Sequence, residues 1–188
     1  MNEIKPAILL FIILTIICGG IYPAIVTGVA YALFPKQAAG SFISDKGGKE
    51  IGSTLIGQPF SDPKYFWPRP SASTDFGYNS MASGGSNAGP TNPDYLKTVG
   101  DRVKALRDSG VTGKVPADLV QASASGLDPH ITPESALLQV PRIAKARGIS
   151  EEQLRIVVGK QIEERQFGFM GALRVNVLVL NVALDGEK

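Results

Sequence analysis

The chain has 188 residues, with 19 Lys plus Arg against 17 Asp plus Glu and a single His. So even a balance argues against a nucleic-acid or other polyanion-binding role built on a basic surface. The length suits one domain, or one domain with an appendage, and the 44% hydrophobic fraction averages two unlike parts.

The first part is the run "AILLFIILTIICGGIYPAIVTGVAYALF", and no charged residue occurs from Pro6 to Pro35. A helix needs roughly 20 apolar residues to cross a hydrocarbon core of about 30 Å. The pattern therefore predicts a short tail over residues 1–6 and a transmembrane helix over 7–34, with membrane lipid as its first partner. A cleaved secretory signal is the competing reading, and Ala30-Tyr31-Ala32 would offer it a cleavage site. The apolar region of a signal runs only about 7–15 residues, roughly half of this stretch. Lys5 precedes the run and Lys36, Lys46 and Lys49 follow it, so lysine bias alone does not orient it. Long domains are exported largely regardless of charge, and the expectation is a cytoplasmic N-terminus with an extracytoplasmic domain over 35–188. Cys18 is the only cysteine and lies inside the run, so cysteine usage does not decide the compartment. Gly20, Ala24, Gly28 and Ala32 recur every four residues, a small-residue stripe expected to let another helix approach closely. Pro23 is expected to distort the span locally.

Residues 40–60 hold short apolar runs around Ile51, Leu55 and Ile56, broken by glycines, which suits strands and turns. Then comes "YFWPRPSASTDFGYNSMASGGSNAGPTNP" over 65–93, three aromatics followed by a nearly uncharged Ser, Gly and Asn stretch. The next punctuation is clear. Asn92 as cap and Pro93 at the first position predict a helix with Leu96, Val99, Val103 and Leu106 inward, ending at Gly110. Thr132 and Pro133 open a second, with Ala136, Leu137, Val140 and Ile143 inward, kinked or broken at Pro141 and stopped at Gly148. Ser150 and Gln153 form a capping box for a third, running through Leu154, Val157, Val158 and Ile162. The closing "LRVNVLVLNVALD" reads as a central strand. The whole is an α+β domain with a small sheet and about three helices.

Chemistry-bearing patterns are few. His130, with Ser123, Ser125 and Asp128 nearby, invites a membrane-anchored serine hydrolase using Ser125 and His130, but "SASG" is not the nucleophile-elbow pattern. The plainer reading is a turn at Asp128-Pro129 ahead of a helix cap. A solute-binding module is a further alternative. One His and one Cys supply no zinc site of the usual ligands. Ser83, Gly84, Gly85, Ser86 and Asn87 are weak candidates for cradling an anion through backbone amides, but the lysine and hydroxyl of a P-loop are missing. No cofactor is implied by motif. Tyr65, Phe66, Trp67, Arg69, Ser71, Asn87 and Asn92 are candidates for a partner-facing surface, because aromatics and Arg dominate binding hot spots. The same cluster is equally readable as core, with Arg69 anchoring the polar loop.

Taken together, "CGGIYPAIVTG", "GSTLIGQPF", "YFWPRPSAS", "SGGSNAGPTNP", "ASASGLDPHITPESA", "RIAKARG" and "VNVLVLN" resemble, in order and over nearly the whole chain, the C chain of the bacterial Kdp-type potassium-transporting ATPase. The resemblance implies a single-pass, inner-membrane accessory subunit without catalytic residues of its own. It also implies three companions: a channel-like potassium-binding subunit, an ATP-hydrolysing P-type subunit and a very small fourth subunit. Potassium would be the transported ion. ATP enters only through the resemblance, in a chaperone-like role that raises the affinity of the hydrolysing subunit for ATP.

Overall fold

The computed structural model describes residues 3–45 and 47–186. The chain divides into two compact units, one ending at Phe42 and one beginning at Ile43.

In the first unit, apolar residues are helical from Ile4 to Leu33, a stretch of 30 residues with a mean hydropathy of 2.5. The helix starts before Pro6, whose missing N–H falls in the first turn, where no partner is needed. It comprises α1 (Ile4–Ile16), one π turn (Ile17–Ile21) and α2 (Tyr22–Leu33). The π turn answers Pro23: Tyr22 N–H donates to the carbonyl of Ile17, five residues back. The extra residue takes up the place where a regular ladder would meet the proline ring. A short α3 (Pro35–Ala38) follows.

The second unit is α+β. Strands β1 (Phe42–Ser44) and β2 (Glu50–Ser53) form a small sheet. Helix α4 (Pro93–Asp108) is capped by Asn92, whose Oδ1 accepts from Asp94 N and Tyr95 N. Strand β3 (His130–Ile131) leads to α5 (Pro133–Arg147), capped by Thr132, and α6 (Glu151–Lys160) carries the Ser150–Gln153 capping box. Strands β4 (Ile162–Glu163) and β5 (Arg174–Asn176) complete a second, antiparallel sheet of order β3-β5-β4, in which Val175 faces Ile131 on one side and Ile162 on the other.

Four expectations are corrected. The C-terminal segment is a strand only over β5; Val177–Gly186 is a helix, α7. Asn176 Oδ1 accepts from Val179 N, an N-cap that turns the chain out of the sheet. The helix is buried through Val177, Leu178, Leu180, Asn181 and Leu184, so its apolar run carries no amphipathic signature. Helix α5 is not broken at Pro141 but runs through it, with the proline on its exposed side. Leu96 is 53% exposed, and α4 packs through Val99, Val103 and Leu106 instead. Ile162 belongs to β4, not to the end of α6. The core gathers Phe66, Ile131, Val140, Ile143, Leu154, Val158, Val175, Leu180 and Leu184 between α5, α6, α7 and the second sheet.

Candidate functional site

The aromatic run at 65–67 lies in neither helix nor strand, yet its backbone is fully engaged. Phe66 N–H donates to Asn181 Oδ1 at 2.9 Å, and Asn181 Nδ2 donates back to Phe66 O at 3.0 Å. Trp67 repeats the arrangement with Gln139, at 2.8 and 3.1 Å. The two carboxamides thus do what a neighbouring strand would do, one from α7 and one from α5. Arg142 donates to the carbonyls of Pro63 and Tyr65, and Arg147 donates to that of Lys64. Consecutive carbonyls from Pro63 to Trp67 are therefore all met by side chains of the two helices. The Arg142 guanidinium also stacks 4.1 Å from the Trp67 ring, and burial pushes its pKa down to about 10.

Phe66 is 0% exposed and belongs to the core, not to a partner-facing surface. Tyr65 is half-buried, and its hydroxyl donates to Asp185, which raises its pKa. Trp67 is half-buried beside an open groove of about 360 Å³ with Phe60, Pro70 and Tyr78.

Arg69 joins the loops. It pairs with Asp128 at 2.9 Å, and Asp128 also accepts from His130 N. Burial alone would raise the Asp128 pKa, but hydrogen bonds from His130 and Arg69 outweigh it and hold the carboxyl at about 2. His130 Nε2 lies 3.8 Å from Glu163, which in turn holds Arg174 at 2.8 Å. Acid and base thus alternate across all three strands of the second sheet. A cleft of about 260 Å³ opens between Arg69, Asp128, His130 and Arg174.

The neighbouring motifs close on one another around this pair. Ser71 Oγ donates to Gly126 O and accepts from Tyr78 N, while the Tyr78 hydroxyl donates to Arg69 O. Burial raises the Tyr78 pKa, which keeps that hydroxyl a donor. Ser83 Oγ and Gly84 N both donate to Ser125 O, and Gly57 N donates to Leu127 O. Gly126, at φ 69, has no room for a side chain: a Cβ would stand 2.8 Å from Gly84 O and 3.0 Å from Ser73 N. The Ser, Gly and Asn stretch is therefore an ordered surface sewn to residues 123–128.

In the candidate anion cradle, Gly84 N is already committed to Ser125, while Ser86 and Asn87 are exposed. Asn92 is exposed too, with its side chain used as the α4 cap. Ser125 and His130 are not brought together as a nucleophile and base: Ser125 Oγ accepts from Leu127 N, and the imidazole faces Asp128 and Glu163. In the apolar helix, Gly20 falls in the π turn and Ala24, Gly28 and Ala32 in α2, and a Cβ at Gly20 or Gly28 would meet nothing within 4 Å. The two carboxamides, Gln139 and Asn181, were absent from the sequence-based candidates. A polar residue on an otherwise apolar helix face was their only signal.

Among the described residues, one apolar N-terminal helix long enough to span a bilayer is followed by an α+β domain of four helices, two small sheets and interlocked loops, and this defines the class: a protein with a single candidate membrane span and an α+β head. The chain belongs to the family described as K+-transporting ATPase, c chain (KdpC), whose model matches residues 4–186. It is similar to proteins named potassium-transporting ATPase KdpC subunit. In Geotalea uraniireducens the identity is 71% over 98% of each chain, and in Geobacter sulfurreducens it is 68% over 98% of each. In Citrifermentans bemidjiense it is 62% over 100% of this chain and 99% of that one.

Proposed function

We propose that the chain is an accessory subunit of an ATP-driven potassium uptake complex, required for assembly and stability of that complex. Its apolar helix anchors it in the bacterial inner membrane, with the N-terminus cytoplasmic and the domain outside. Gly20, Ala24, Gly28 and Ala32 face a companion helix. The surface around Arg69, with Ser86 and Asn87 at its edge, meets a larger subunit: the channel-like potassium-binding chain first, with the P-type ATP-hydrolysing chain and the very small chain completing the set. The observation that carries this reading is the locking of the family's loop motifs into one rigid surface through Ser71–Gly126, Ser83–Ser125 and Arg69–Asp128. Rigid polar loops bind with little ordering cost. From outside the membrane, such a subunit raises ATP affinity only by binding two conformations of its companions unequally.

The test is recovery of the other subunits on a tagged copy of this chain. Asn87→Asp, at an exposed position, is expected to reduce recovery while leaving Trp67 fluorescence unchanged. Full recovery and full transport would remove the docking role. A reporter fused after residue 188 is expected on the outer face; a cytoplasmic signal would overturn the orientation and reopen direct nucleotide contact at Ser83–Asn87.

A further inference from the structure

The connection between β4 and β5 reads Glu164-Arg165-Gln166-Phe167-Gly168-Phe169-Met170-Gly171-Ala172-Leu173. Gln166 and Met170 close it as a β-bridge, with Gln166 N donating to Met170 O at 3.0 Å and Met170 N to Gln166 O at 2.9 Å. The chain reverses through Phe167 at φ 53 and Gly168 at φ 79. Phe167 is 86% exposed, Phe169 73% and Met170 49%. An aromatic residue is poorly suited to the left-handed region, and the exposed Phe167 ring gains no packing within the domain in return. The turn is thus ordered, conformationally costly and apolar at its tip. Nothing in the fold requires that combination.

The chemistry around the tip narrows what it meets. No acidic residue occurs from Arg165 to Arg174. Glu163 holds Arg174, whereas Arg165 has no acidic partner among the described residues. The tip therefore offers apolar rings with a free cation at their base, complementary to a surface that is greasy beneath and anionic on top. The two rings and the thioether present roughly 400 Å², about half of what each side of a stable protein interface buries. Insertion into lipid needs no such minimum, because each apolar group gains independently. The leash also favours lipid. Only residues 34–42 separate Leu33, the end of the apolar helix, from Ile43, where the domain begins. Nine residues reach at most about 30 Å, comparable to the diameter of the domain, so the bilayer surface is present at high effective concentration.

We propose that the Arg165–Leu173 turn enters the bilayer surface, with Phe167 and Phe169 at the acyl boundary and Arg165 on anionic headgroups, an assignment that rests on the membrane anchoring proposed above. Trp67 is the only tryptophan, so an added one is read by difference. The full chain carrying Phe167→Trp, Phe169→Trp or, for comparison, Met81→Trp (Met81 is 95% exposed) is reconstituted in vesicles of phosphatidylcholine and phosphatidylglycerol, with and without brominated acyl chains. Flotation reports anchoring; the added emission reports the turn. The expected result is that the chain floats and that both turn positions give blue-shifted emission. Most of that emission is lost in brominated vesicles, while the Met81→Trp signal is retained. Floating chains with unquenched turn positions overturn the proposal and leave the anchoring intact, and so does equal quenching at Met81→Trp. Quenching that disappears when the other transporter subunits are reconstituted alongside also overturns it and assigns the turn to a protein partner. Chains that fail to float overturn the anchoring and this assignment with it.

Discussion

Asn181→Ala isolates the device that holds the aromatic segment in place. Asn181 is 2% exposed and Phe66 0%, so no water reaches the Phe66 N–H and carbonyl once the carboxamide is removed. Each buried polar group left unpaired costs about 1–3 kcal/mol, which for the two groups puts the loss at about 2–6 kcal/mol, out of a total stability of typically about 5–15 kcal/mol. Gln139→Ala orphans the equivalent pair on Trp67 and removes the acceptor that meets Arg142 at 2.7 Å, so its loss is at least as large. Phe66 and Trp67 are adjacent, so freeing one frees the other, and the double variant is expected to lose about 1 kcal/mol or more less than the sum of the single losses. Urea unfolding of the full chain in detergent, followed by Trp67 emission, measures all three. A loss below about 0.5 kcal/mol for Asn181→Ala, the level of an ordinary surface change, would refute the idea that carboxamides stand in for a strand. Strict additivity would refute the shared segment.

Arg142→Lys keeps the charge but loses the fork that meets Pro63 O and Tyr65 O, and about 2–4 kcal/mol of stability is expected to go, with a shift in Trp67 emission. Gly126→Ala forces a left-handed alanine against Gly84 O and should cost about 2–3 kcal/mol, whereas Gly110→Ala, at φ 94 with open space around it, should cost about 1 kcal/mol. Urea midpoints separate the two. Asp128 titrates near 2 in the fold against about 3.9 when unfolded. Its contribution is complete above about pH 4 and is lost as the pH falls toward 2. Discounted for partial exposure it amounts to about 1 kcal/mol, and it should vanish from the acid limb of the Asp128→Asn stability profile.

The helix starts were legible because their signals are local. Asn92-Pro93, Thr132-Pro133 and the Ser150–Gln153 box each lie within four residues of the turn they open. The C-terminal segment was not, since Val and Leu in continuous run serve a buried helix as well as a central strand; only the cap at Asn176 tells them apart. The short strands escaped for a related reason: β3 and β4 have two residues each, too few to show a period. For the candidate surface, the sequence carried the motifs and their order but not their convergence. Asn181 reaches Phe66 across 115 residues and Gln139 reaches Trp67 across 72, and a lone polar residue on an apolar face does not say which backbone it will meet. The exposure of Phe167 and Phe169 was not legible, because residue type alone does not separate a core aromatic from a surface one.

The backbone of residues 63–67 is finished by side chains that the ribosome adds much later. Until Arg142 and Arg147 have been made and α7 has followed, those carbonyls have only water to bind, and the segment has no reason to leave the coil. Synthesis from the N-terminus therefore delivers the membrane stem first and a competent head only with its final turn of helix. A nascent or clipped chain ending before Asn181 would carry its apolar helix while the Phe66 N–H and carbonyl lacked the carboxamide that holds them.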